Sequence, residues 1–257
     1  MTRKGLSKAE PYLWVAPCIL LFALFVYYPF MRTLISSFFI VNVKAQIANF
    51  VGLENYHILF SDYTFLRAIT NTLVFALITV PTSVIIGFVL AVLARGRRSL
   101  SSIYETAFSF PIAISSSVIA MIFQLLYMPS LGILNKMFGC DIHWLSDEQY
   151  SLLALAIIQI WMFVGYNFIF SLTAMRSISK EITESASLDG ASIWSLIMRF
   201  FIPLTLPTQI YLLFMNFSIS LMMMSLTNIL TSGGPHYSTL TVVQYMYSKL
   251  SIQEIRP

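Results

Sequence analysis

Charged residues are absent from five long stretches of the chain: Pro11–Met31, Ala68–Ala94, Thr106–Asn135, Gln149–Met175 and Phe200–Ser248. A helix rises about 1.5 Å per residue, so about 20 mostly apolar residues cross a hydrocarbon core of about 30 Å. Four of the stretches fit one span each. The second half of the fifth turns to Thr, Ser, Gly and Pro, which reads as one span followed by a loop. The pattern predicts spans at about 11–31, 68–94, 106–127, 151–175 and 204–226. In lipid every backbone polar group must be satisfied inside its own segment, so the expected fold class is all-α: a polytopic membrane helix bundle with five spans. No internal repeat or low-complexity tract divides the chain, and 1–257 reads as a single transmembrane domain.

Composition excludes the alternatives. The chain is 58% hydrophobic and 10% charged, against about 25% charged in soluble domains, and its mean hydropathy is +0.79. There is too little polar side chain to cover a surface facing water, so membrane lipid is an expected partner. The two cysteines, Cys18 in a span and Cys140 in a loop, read as free thiols rather than a disulfide framework. The net charge of +4 does not point to nucleic acid, because the Lys and Arg residues sit in short loops between spans. Arg3, Lys4 and Lys8 before an apolar run imitate a signal peptide. The run ends in Tyr27-Tyr28-Pro29 with no small-x-small cleavage site, so it reads as a retained first span.

The basic residues also suggest an orientation. With the N-terminus in the cytoplasm, nine of the 15 Lys and Arg residues fall inside and six outside, and the turn Arg95-Gly96-Arg97-Arg98 is a compact internal anchor. The loops 32–67 and 128–148 are then external, and 176–199 is internal and the most polar part of the chain. Tyr27, Tyr28, Trp144, Tyr150 and Trp161 fall at span ends, where amphipathic rings anchor at the interface.

Chemistry typical of enzymes is missing. His57, His143 and His236 are scattered through predicted external loops, and no metal-ligand spacing or phosphate-binding glycine loop is present. No cofactor is expected, and without that glycine loop no ATP site of the phosphate-loop kind is expected. No charge occupies the middle of any span, where proton- or ion-coupled carriers place an acid or base. These features count against a membrane enzyme and against an ion-coupled secondary carrier.

The internal loop carries the strongest local signals. Ser179–Pro207 reads SKEITESASLDGASIWSLIMRFFIPLTLP. Ser179 suits an N-cap, and Glu181 and Glu184 suit the first turns of a helix over 180–188. Gly190 permits a left-handed turn. A second amphipathic segment starts at Ala191, with Ile193, Trp194 and Ile197 on one face. Pro203 marks the start of the last span. The unit is helix, glycine turn, helix, either an ordinary interfacial loop or a device for contact.

Glu184-Ser185-Ala186, then Asp189-Gly190-Ala191, Trp194 and Pro203, resemble the EAA loop of permease subunits in binding-protein-dependent ABC sugar importers of the maltose and glycerol-phosphate type. Ser185, Phe200 and Ile202 depart from the usual Ala, Ile and Leu while roughly keeping size or apolarity. Other segments match in type and order: Pro11–Leu13 to Pro29, Phe50-Val51-Gly52-Leu53-Glu54-Asn55-Tyr56, Asn71-Thr72-Leu73 with Pro81, Phe110-Pro111, Gly132–Asn135, and Thr231-Ser232-Gly233-Gly234-Pro235. The family continues after the Gly-Gly-Pro loop with a further span. Here Pro257 follows Tyr245–Leu250 without room for one, so a permease core lacking the usual last span is expected, and a truncated, non-transporting subunit is an alternative.

The resemblance implies a bacterial plasma-membrane subunit that conducts a solute. It implies a second permease as partner, two cytoplasmic ATP-binding subunits and an extracytoplasmic solute-binding protein. Residues 176–203 would be the coupling loop, with Glu184, Ser185, Ala186, Asp189 and Gly190 at the ATPase contact. For a carbohydrate or similar neutral polar solute, the candidates along the path are Asn216 and Ser220, at i and i+4 on one helix face, and Tyr166 and Asn167. Gly165, Tyr166 and Asn167 read as a flexible polar break in the fourth span. Asn and Ser at these positions serve equally well for helix packing in a membrane.

Overall fold

The computed structural model describes residues 3–41, 47–95, 101–129 and 132–255. Gly96, Arg97 and Arg98 of the basic turn lie outside these residues, as do Lys44 and Arg256. The chain falls into two compact units, Met1–Tyr63 and Thr64–Pro257.

The first unit opens with α1 (Arg3–Phe22), a π turn (Ala23–Tyr27) and α2 (Tyr28–Ser36). The Tyr28 N–H bonds the Ala23 carbonyl, five residues back. Pro29 follows at once. It has no N–H, and its ring would press on the carbonyl four residues earlier; a widened turn just before it relieves that clash. Glu10–Ser36 is thereby one apolar helical span of 27 residues. Two short antiparallel strands, β1 (Phe39–Val41) and β2 (Ile47–Phe50), and α3 (Glu54–Ser61) complete the unit. The Phe39 and Phe50 rings sit edge to face at 5.2 Å. Asn55 Nδ2 donates to the carbonyls of Ser37 (2.8 Å) and Phe39 (3.1 Å), and the Tyr56 and Ser37 hydroxyls bond at 2.7 Å. The Asn-Tyr pair of the Phe50–Tyr56 motif therefore staples α3 to the end of α2.

The second unit holds α4 (Tyr63–Arg95), α5 (Ser101–Ser109), α6 (Ser116–Leu126), α7 (Ile133–Phe138), α8 (Glu148–Arg176), α9 (Lys180–Leu188), α10 (Ile193–Leu196), α11 (Ile202–Leu221), α12 (Ser225–Leu230) and α13 (Val242–Ile255). Among the described residues of the chain, four helices are long and apolar enough to cross a membrane, or five if one bent pair counts as a span. The fold is an all-α polytopic bundle with one small hairpin. Asp147 caps α8 by accepting the Gln149 N–H at 3.0 Å. Arg67–Glu148 (2.7 Å) ties α4 to one end of α8, and Arg176–Glu105 (2.6 Å) ties α5 to the other. Between them Phe75, Ile119, Tyr127, Leu155, Ile158 and Leu226 form one buried cluster. Ala91, Phe168, Leu172 and Met175 form a second.

Three local expectations change. The stretch expected as one span over 106–127 is built of two helices, Glu105–Ala113 and Ser116–Leu126, bent by 104°, which count as one span only if the pair crosses together. Pro111 sits in a 3-10 turn over Phe110–Ala113, and the Ser115 side chain accepts the Val118 N–H to start α6 afresh. The expected break at Gly165–Asn167 does not exist, since α8 is helical throughout. Gly costs a helix only about 1 kcal/mol relative to Ala, and Gly165 lies against the Phe108 carbonyl. Finally, the last span does not begin at Pro203. Helix runs from Ile193 to Leu221, and a π turn over Ile197–Phe201 absorbs Pro203 as its counterpart absorbs Pro29.

Two distant motifs meet. Asn71 Nδ2 donates to the carbonyls of Tyr237 (2.7 Å) and Leu240 (3.1 Å), and Thr72 Oγ1 accepts the Val242 N–H at 3.1 Å. Ser151 and Ser238 bond at 2.8 Å, and Thr231 and Thr239 at 2.7 Å. The loop after Gly233-Gly234-Pro235 is thus fastened to α4 and α8 by buried polar side chains.

Candidate functional site

The polar loop between α8 and α11 is built from its own signals. α9 starts at Lys180, directly after Ser179. At its other end the Ala191 N–H reaches back to the Ala186 carbonyl at 2.9 Å, across Gly190 at φ +78°. That bond with a left-handed glycine is a Schellman ending, which satisfies a helix carbonyl that would otherwise be orphaned. The Ser192 Oγ accepts the Ser195 N–H at 3.2 Å and opens α10. The second segment therefore begins at Ile193 with Ser192 as its cap, two residues later than Ala191.

Of the five residues expected at an ATPase contact, Ala186 is buried and Glu184, Ser185, Asp189 and Gly190 are exposed. Ala186 holds the helix down while the others face outward. Beside them stands a residue the sequence did not single out for contact: Leu188, 89% exposed, with Ile193 and Trp194 also exposed. The signal was available, since an apolar residue next to Asp-Gly at a helix end has no core to enter. An acid, a leucine and a fixed turn make a knob that can offer both charge and apolar surface to a partner.

The path candidates behave differently. Asn167, Asn216 and Ser220 have no exposed surface. Asn216 Nδ2 donates to Asn167 Oδ1 at 2.8 Å, Asn167 Nδ2 donates to Ser83 Oγ at 3.2 Å, and the Ser220 and Thr79 hydroxyls lie 3.3 Å apart. One turn further along, Gln209 Nε2 donates to Ser171 Oγ at 3.1 Å. These rungs join α4, α8 and α11. Gly87 makes room for them: a Cβ there would stand 2.6 Å from the Asn167 Cβ and 2.9 Å from the Phe168 nitrogen. Within this chain, then, the stripe packs helices. Among the described residues Asn216 Oδ1 is buried without a partner. Tyr166 lies off this stripe, half-buried, its ring 4.4 Å from that of Phe170 and its side chain hydrogen-bonded to Tyr211 of α11.

Open space lies next to the stripe instead. A cavity of about 320 Å³ sits where helix stops at Leu221 and resumes at Ser225, lined by Ser116, Gln159, Ser225 and Met222–Met224, among others. Its size is within the range of small-molecule sites. The amide of Gln159 and two hydroxyls can exchange hydrogen bonds with a neutral solute, and the thioethers give it soft, adaptable walls.

Residues 63–253 match the family model described as the binding-protein-dependent transport system inner membrane component. The chain is 34% identical, over 95% of its length and 86% of the relative's, to a probable ABC transporter permease protein of Pyrococcus horikoshii. It is 30% identical, over 94% and 85%, to the probable ABC transporter permease protein YurN of Bacillus subtilis. It is 29% identical, over 94% and 84%, to the sn-glycerol-3-phosphate transport system permease protein UgpA of Agrobacterium fabrum. Among solved structures, it is similar to a chain of a bacterial alginate ABC transporter in complex with an alginate pentasaccharide-bound periplasmic protein. That match has a TM-score of 0.80 and 25% identity, and covers 99% of this chain and 88% of the other.

Proposed function

The chain belongs to the family of binding-protein-dependent transport system inner membrane components, and from that premise we propose that it forms, with a second permease, the pathway of an ATP-driven importer for a neutral carbohydrate or polyol. A solute-binding protein delivers the solute from outside. Two ATP-binding subunits grip the loop 176–203 from the cytoplasm and rock α8 and α11 between inward- and outward-open arrangements. The observation that carries this reading is the knob itself: a Schellman-ended helix that exposes Glu184, Leu188 and Asp189 between two spans.

Glycerol phosphate and alginate are acidic substrates, and they belong to the relatives. Among the described residues no cation lines the cavity beside Met222–Met224, while Gln159, Ser116 and Ser225 supply neutral hydrogen bonds. A buried acid without a cation to meet it would lose its hydration uncompensated, so neutral solutes fit best. Gln159→Leu is expected to lower solute uptake by roughly tenfold, the effect of one or two lost hydrogen bonds, with complex assembly unchanged. Uptake in proteoliposomes, with neutral and acidic oligosaccharides as competitors, checks this. Stronger competition by the acidic sugars would overturn the neutral assignment.

The proposed orientation places the N-terminus and residues 176–203 in the cytoplasm, and 128–148 outside. In a variant lacking Cys18 and Cys140, Asp141→Cys should react with a membrane-impermeant maleimide on intact cells, and Asp189→Cys only after lysis. The reverse pattern would invert the orientation and remove the ATPase from the knob.

A further inference from the structure

A second cavity, of about 460 Å³, runs along the outside of the bundle between α4 and the α10–α11 helix. It is largely apolar, walled by Ile85, Val89 and Leu93 on one side and Trp194, Met198 and Leu206 on the other, with Gln209 also on it, and among the described residues no acid lines it. It follows α4 from Val84 to Leu93 for about 14 Å and the α10–α11 helix from Trp194 to Gln209 for about 22 Å, less than the full hydrocarbon core of about 30 Å. Two arginines stand next to its lining residues in the chain. Arg95 closes α4 two residues beyond Leu93, its guanidinium 4.4 Å from the Phe201 ring. Arg199 is exposed in the π turn between Met198 and Ile202, both of which line the groove. An apolar slot with cations beside it suits an acyl chain and the head group of an anionic lipid; basic pockets between helices on the cytoplasmic side bind such head groups.

We propose that this groove seats an acyl chain of an anionic phospholipid of the cytoplasmic leaflet, with its phosphate held by Arg95 and Arg199. The lipid then bridges α4 to Trp194, at the root of the coupling loop, and fills the space that the π turn leaves between them. The assignment to the cytoplasmic leaflet rests on the orientation proposed above.

The test uses the complex purified with its partner subunits and placed in nanodiscs of phosphatidylcholine with a minor share of phosphatidylglycerol. Native mass spectrometry then counts the lipids that stay bound after exchange into detergent. Phosphatidylglycerol should be retained in preference to phosphatidylcholine. Arg95→Gln with Arg199→Gln should reduce that preference by on the order of tenfold. Val89→Trp fills the groove, keeps both charges, and should expel the lipid; it decides the matter if the double variant assembles poorly. Equal retention of the two lipids by the wild type, unchanged retention in Val89→Trp, or displacement of the lipid by inorganic phosphate alone would overturn the proposal. So would a photocrosslinker at position 89 that attaches to a permease helix instead of lipid. Retention is read without transport. Bound lipid in a complex that moves no solute would count against the importer reading alone, and normal uptake without lipid preference would count against the groove alone.

Discussion

Glu184→Lys, Gly190→Val and Leu188→Ser are expected to leave the chain in the membrane and release or uncouple its ATPase. None of the three lies in a span, so insertion should be unaffected. The Gly190 φ of +78° is a left-handed conformation that costs ordinary residues about 1–2 kcal/mol, and a β-branched residue is especially ill-suited to it. Valine there should unwind the Schellman ending and move Asp189 and Ala191. Space is not the obstacle, since nothing lies within 4 Å of a Cβ at that point; the strain is in the backbone. Leu188, 89% exposed in this chain, gains about 1.5–3 kcal/mol if a partner buries it fully. Its loss should weaken ATPase binding by roughly ten- to a hundredfold. Glu184→Lys replaces a charge-assisted contact of about 1.5–3 kcal/mol with repulsion where the partner is basic. The measurement is ATPase copurification together with binding-protein-stimulated hydrolysis in reconstituted complexes. Wild-type values in all three variants would make the loop an ordinary interfacial segment.

The second large effect is expected inside the bundle. In Gly87→Val the new Cβ falls 2.6 Å from the Asn167 Cβ and 2.9 Å from backbone, and α8 cannot yield without bending. Overpacking of this kind costs about 1–3 kcal/mol. Pushing α4 from α8 also breaks the 3.2 Å bond from Asn167 to Ser83 and strands a buried amide at about 1–3 kcal/mol. The thermal midpoint of the solubilised subunit should drop by several degrees, with less of it in the membrane. Asn216→Leu should go the same way, because it leaves Asn167 Oδ1 without its donor. Uptake and assembly should fall together, whereas a residue that only touches solute would lower uptake alone. Ser218→Ala, whose hydroxyl bonds only the Phe214 carbonyl of its own helix, should change neither. An unchanged midpoint in Gly87→Val would mean that α4 and α8 do not pack in this way.

What the sequence determined by itself was whatever depends on neighbours in the chain and on the solvent around it. Apolar runs must cross lipid as helices, because no other segment satisfies its own backbone there; the five charge-free stretches followed from that. The shape of the loop over 176–203 was legible for the same reason. Gly190 closes α9 and the run from Glu184 to Trp194 fixes its shape through local hydrogen bonds, so spacing alone carried it. Local grammar erred only where packing outweighed it. Gly165 stayed in a helix because the α5 backbone packs against it. Pro203 did not start one because a π turn upstream made room for its ring. The bend before α6 was within reach through Pro111 and Ser115, but an apolar run hides it. The tertiary structure alone decided what the polar residues in the spans are for. The i, i+4 spacing of Asn216 and Ser220 places them on one face, and it cannot say what that face meets. Here it meets Asn167 and Thr79 on two other helices, brought close enough by Gly87 to hydrogen-bond. The open space came instead from Met222–Met224, where the last long helix breaks. Contacts between residues far apart in sequence depend on how whole helices cross, and no periodicity along one helix encodes that.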